Sequence, residues 1–157
     1  MTLAPRSPRA SATEMTELVL PQHGNVLGSA FGGTVLAWMD VAGAICAQRH
    51  SGWVSVTAAM DEVEFVSPIK VGDVVVVGAR LNAAFGSSVE VEVSVQVEDR
   101  KTAVRRRCVE AFMTFVAVDE NGSPTKVPAL LVETGEDERR ATEATARRAR
   151  RLAERKQ

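Results

Sequence analysis

Apolar and polar residues alternate most strictly in "SSVEVEVSVQVED". There Val89, Val91, Val93, Val95 and Val97 share one face of a strand, while Glu90, Glu92, Ser94 and Gln96 share the other. A looser alternation around Val54, Val56, Val63 and Phe65 runs through "GWVSVTAAMDEVEFVSP" and ends at Pro68. "VGDVVVVGARLNAAF" opens with the turn Val71-Gly72-Asp73 and predicts another strand. "RRRCVEAFMTFVAVDENG" predicts a fourth long one, closed by the turn signal Asp119-Glu120-Asn121-Gly122. A shorter strand is expected at "MTELVL", before Pro21. Between it and the long strands, the run from Gly33 to about His50 is too long and too alanine-rich for a strand and predicts one helix.

Strands joined by tight turns form an antiparallel sheet. A helix that is apolar all round must be covered on most sides. One sheet wrapped around one central helix satisfies both demands, an α+β architecture with five to six strands. Residues 1–14 are expected to be a flexible leader, 15–132 the folded domain and 133–157 a charged helical tail. The tail, with "RRATEATARRARRLAERK", has a basic surplus. It is expected to be an exposed helix that packs lightly, with electrostatic help to a polyanionic ligand as the alternative.

On a helical wheel Gly33, Ala37, Asp40, Ala44 and Ala47 fall on one narrow stripe. Val35, Trp38, Met39, Ala42, Ile45 and Cys46 crowd the other side. The bulky side suits the concave face of the sheet, and the small-residue stripe suits close approach by a ligand or another backbone. Asp40 is the one charged residue in the stretch "HGNVLGSAFGGTVLAWMDVAGAICAQ". A carboxylate there is either a satisfied buried acid or, given the space around it, a general base. Gly32 and Gly33 stand where unpaired N–H groups and the positive end of the helix dipole gather, the physics of an oxyanion hole. Asn25 adds a neutral group able to orient a water or a carbonyl.

Composition narrows the field. A formal net charge of −1 gives no global attraction to nucleic acid or an anionic membrane, and 4% aromatic content without tyrosine argues against stacking platforms for single strands. Cys46 and Cys108 lie in apolar runs without metal-ligand spacing, so no metal or disulfide is expected. The N-terminus has no apolar signal core, and the glycines and Asp40 disfavour a spanning helix, which leaves the cytoplasm as the expected location. No Gly-x-Ser-x-Gly elbow is present.

The segments "NVLGSAFGGTVLAWMDVAGAICAQRH", "VTAAMDEVEFVSPIKVGDVV", "SSVEVEVSV" and "AFMTFVAVDENG" resemble the hotdog acyl-CoA thioesterases of the cytosolic acyl-CoA hydrolase family. The resemblance runs from about Pro21 to about Pro128. Its specific marks are N-x-x-G-x-x-x-G-G followed by a helical Asp, and F-x-x-P-I-x-V-G-D. It implies a hotdog fold and hydrolysis of acyl-CoA to free fatty acid and CoA, with CoA as part of the substrate and no separate cofactor. The family's two catalytic positions fall on Asn25 and Asp40, the Asp acting as general base or nucleophile. In tandem-domain members they come from different domains. A single hotdog carrying both therefore implies an edge-to-edge homodimer, and the family's habit implies a hexamer built as a trimer of dimers. Phe31 stands where members often carry His or Ile, a departure that bears on specificity. The phosphates of CoA call for cations, and Arg105, Arg106 and Arg107 are candidates, although alternation forbids all three from pointing one way. Ser87 and Ser88 are candidates for the pantetheine arm. The competing readings are a hotdog hydratase or dehydratase using His23 with Asp40, and a non-catalytic acyl-CoA-binding protein.

Overall fold

The computed structural model describes residues 3–156. Five antiparallel strands form one sheet in the order β1-β3-β4-β5-β2: β1 (Thr13–Leu18), β2 (Val54–Phe65), β3 (Val74–Phe85), β4 (Ser88–Glu98) and β5 (Arg105–Val118). The tight turns after β3 and β4 make a central meander. The long helix α2 (Gly32–Ser51) feeds β2 to the far side of β5, so β2 is an outer edge. The sheet curls around α2, as the hotdog arrangement requires. The alternating valines of β4 point inward, and Val91, Val93 and Val95 are fully buried with Leu81, Met113 and Phe115.

The wheel placed the bulky side of α2 on the sheet, and Val35, Met39, Ala42 and Cys46 are indeed buried there. Gly43 and Ala47 are buried with them, while Trp38 and Ile45 are only partly covered. The reason is Phe115: a Cβ at Gly43 would stand 2.8 Å from its ring. The helix therefore comes closest to the sheet where it has no side chain, which turns Ala47 inward and leaves Gly33 and Ala37 exposed.

Two terminal expectations need correction. Residues within 5–14 are not a free leader. Pro8–Ser11 is a short helix, α1, and Ser11 is buried. Arg6 bonds through its backbone to Ala129 and Leu131. Its guanidinium closes the end of α2 by donating to the carbonyls of Arg49 and His50, which satisfies carbonyls that the helix end leaves open.

The charged tail does not pack lightly. It forms α3 (Gly135–Glu154), capped by Thr134, and lies across the outer face of the sheet. Asp137 accepts from Arg9 and Arg80, Arg140 meets Glu92, and Arg147 meets Glu90 at 2.7 Å. The polar face of β4 is thus partly covered, and Glu90 is 2% exposed. Composition alone could not show this, because the helix is held by matched charges rather than by an apolar stripe.

Candidate active site

Asp40 stands on the open side of α2, half-buried, and the hydroxyl of Thr57 on β2 donates to it at 2.5 Å. Thr57 was not singled out from the sequence. The valines of this segment suggested an apolar inner face, yet Val54 and Val56 are exposed and Ser55 is buried. The hydroxyl face of β2 therefore looks toward α2: Ser55 approaches Ser51, and Thr57 reaches Asp40. The available signal was that inverted alternation, "VSVT", directly after the helix.

Asn25 sits in a tight loop. Its backbone N–H donates to Ser29, and its side-chain oxygen accepts from the N–H groups of Leu27 and Ser29 at 2.9 and 3.2 Å. Gly28 closes this turn at φ +75°, a conformation glycine adopts without strain. The oxygen of Asn25 is consumed by the loop, so its NH2 is the group left to meet a ligand. No hydrogen bond joins Asn25 to Asp40 among the described residues of one chain.

Gly32 and Gly33 form the first turn of α2. Phe31, the residue before them, offers no side-chain cap, so the first N–H groups of the helix remain open. A cavity of about 400 Å³ opens beside them, lined by Ala30, Gly32, Val35, Phe65 and Ile69. Asp40 does not line it. The Phe65 ring lies 3.7 Å from the point where a Cβ on Gly32 would be, which places the end of β2 against the start of α2.

The three arginines separate as alternation requires. Arg105 pairs with Glu14 and Glu98, and Arg107 with Glu110. Arg106 meets neutral acceptors instead, Ser67 Oγ at 2.5 Å and the Pro68 carbonyl at 3.2 Å, beside the cavity at the start of α2. Ser87, in the turn between β3 and β4, and Ser88, the first residue of β4, lie at the other end of the sheet, where Ser88 stands opposite Val116. Within one chain they are not brought to Arg106. His23 accepts the Leu20 N–H on Nδ1 and packs edge-on against Trp38, which commits one ring nitrogen to holding a turn.

Among the described residues, no cluster of three or more His, Cys, Asp or Glu side chains is arranged to hold a metal ion, and no helix is long and apolar enough to cross a membrane.

Comparison with known proteins adds a family. The model of the thioesterase superfamily matches residues 27–104. The uncharacterized acyl-CoA thioester hydrolase YkhA of Bacillus subtilis is 36% identical over 129 residues, which are 82% of this chain and 75% of that protein. The crystal structure of an apo-hexameric acyl-CoA thioesterase superposes with a TM-score of 0.91 at 37% identity, covering 97% of each chain. The acyl-CoA hydrolase from Staphylococcus aureus, in complex with butyryl coenzyme A, coenzyme A and coenzyme A disulfide, superposes with a TM-score of 0.89 at 35% identity, covering 96% of this chain and 92% of that one. The chain spans about a quarter of the length of the first curated relatives it matches.

Proposed function

The chain belongs to the thioesterase superfamily, among its acyl-CoA thioester hydrolases, and from that premise we propose that it hydrolyses acyl-CoA to a free acid and CoA in a site completed by a second copy of itself. The observation that carries this reading is the separation of its parts. Asp40 and Thr57 lie toward the beginning of β2, while Asn25, Gly32 and the cavity lie toward its end at Phe65. The outer side of β2 has no partner in the sheet. Pairing two β2 edges antiparallel about a two-fold axis lays the Thr57 end of one against the Phe65 end of the other. Asp40 then faces the first turn of α2 and Asn25 of the partner subunit. The same operation brings Ser87 and Ser88 toward the Arg106 end of the partner. The hexameric relative supports assembly beyond the dimer, and a trimer of dimers is the proposed form.

In that site Asp40, held by Thr57, takes a proton from the attacking water or attacks the carbonyl itself. The Asn25 NH2 orients the carbonyl or the water as a donor, and the N–H groups of Gly32 and Gly33 receive the developing oxyanion. The CoA thiolate leaves without metal assistance, and Arg106 meets a CoA phosphate. No cofactor besides the CoA of the substrate is required by this chemistry. The cytoplasm, where acyl-CoA is used, is the proposed location.

Removing a positioned base costs on the order of 10²- to 10⁴-fold in rate. Asp40→Asn should therefore lose most of kcat while still binding CoA, and Asn25→Ala should lose less. Mixed after subunit exchange, the two impaired variants should regain activity above that of either alone, because each mixed dimer holds one intact site. Demonstrated exchange without regained activity would sink the composite site. Release of free CoA, read with a thiol reagent across an acyl-CoA panel, separates hydrolysis from hydration of an enoyl-CoA and from binding without turnover.

A further inference from the structure

The β2 edge carries an acidic stretch where two copies would meet. Asp61, Glu62 and Glu64 fall within "MDEVEF", and β2 slips register against β5 between Asp61 and Glu64. Glu62 has φ +53°, a left-handed conformation that is strained for a residue with a side chain. Charges and irregular backbone on an edge normally guard a sheet against pairing with another copy. Here the guard is countered from within the chain. Helix α3 starts over β3, where Asp137 meets Arg80, crosses β4 at Glu92 and Glu90, and ends over β2. There Arg151 meets Asp61 at 2.8 Å and Arg150 meets Glu62 at 3.1 Å.

We infer that Arg150 and Arg151 neutralise Glu62 and Asp61, two of the three acids of this stretch, and so permit two copies of this chain to pair along that edge. The inference rests on the dimer proposed above. A two-fold axis near the middle of the 12-residue strand sets Asp61 and Asp61 of the partner subunit roughly 11 Å apart, given a rise of about 3.4 Å per residue and strands about 4.8 Å apart. That is close to the screening length of about 10 Å at 0.1 M salt, so unneutralised carboxylates on both strands repel at low ionic strength. The two arginines are positioning residues: they touch neither substrate nor reacting atoms, and they act by making the edge acceptable to its own copy.

The test is sedimentation equilibrium of the full chain at 20 mM and 500 mM NaCl, with the fold checked by circular dichroism. Arg150→Glu combined with Arg151→Glu should raise the dimer dissociation constant at least tenfold at 20 mM salt, and much less at 500 mM. The milder pair Arg150→Gln and Arg151→Gln should show a smaller effect in the same direction. Adding Asp61→Asn and Glu62→Gln to the reversed pair should restore association, which a merely structural role for α3 would not do. Arg155→Glu, on a residue that makes no ion pair among those described, should change nothing. A wild-type chain that stays monomeric at micromolar concentration overturns the dimer and this inference with it. A wild-type dimer whose association is unaffected by charge reversal, or not restored by removing the acids, overturns the inference alone.

Discussion

Thr57 on β2 donates its hydroxyl to the Asp40 carboxylate on α2, and this bond ties the candidate base to the strand that forms the edge of the sheet. A carboxylate held from one side presents its remaining lone pairs in a fixed direction. Thr57→Val keeps the shape of the side chain and removes the donor. It should lower kcat about tenfold or more with little change in KM, and Thr57→Ser should recover most of the loss. Steady-state kinetics on one acyl-CoA checks both, and equal rates for Thr57→Val and wild type would remove Thr57 from the site.

Of the three neighbouring arginines, Arg106 alone has no carboxylate partner among the described residues. Arg106→Gln should raise KM for acyl-CoA severalfold and leave kcat nearly intact. The same change at Arg105 or Arg107 should matter less, because their charge is spent on glutamates. With an acyl-pantetheine substrate that lacks the nucleotide phosphates, the Arg106→Gln penalty should vanish. A penalty that persists there would assign Arg106 a structural duty.

Arg147 lies 3.6 Å from the centre of the Phe112 ring and bonds to the buried carboxylate of Glu90. Arg147→Met strands that carboxylate, and breaking a buried pair costs about 3–5 kcal/mol. The double variant Arg147→Met, Glu90→Gln leaves no charge behind and should recover much of the stability. Urea unfolding of the three proteins measures the difference, and equal losses in single and double variants would show that the contact matters for packing rather than charge.

His50 is 1% exposed and Nε2 lies 2.8 Å from the Pro128 carbonyl, while Nδ1 has no partner among the described residues. Burial, above all, and the Arg6 charge lower its pKa below the usual value of 6.5. The unfolded chain therefore binds the proton more readily than the folded one. The corresponding stability is present above about pH 6.5 and is lost as the pH falls below it. Asp137, held well below the usual carboxylate range by Arg9, keeps its contribution until far more acid conditions. Urea midpoints between pH 8 and 5.5 should thus fall in the wild type, and the slope should flatten in His50→Gln.

The strands, the central helix and the acid on its open face could be read from the chain because each is a local pattern. A period of two marks β4, a long small-residue run marks α2, and Asp40 is conspicuous as the one charge in its stretch. Asn25 and the glycines of the first turn of α2 lie close together in sequence, so they too stood out as candidates. The pairings across the sheet were not. Which face of β2 looks inward depends on the register that the turn at Gly52 and Trp53 imposes, and that brought Thr57 rather than a valine to Asp40. Arg105 and Arg107 pair with acids on β1 and β4, or on their own strand, which no single strand's pattern shows. The tail looked solvated because its charges were counted without their partners. Glu90, Glu92, Asp61 and Glu62 come from two strands, and only the folded sheet gathers them under one helix. Periodicity reports what one element needs to bury, whereas charge matching between elements exists only once the chain has closed on itself.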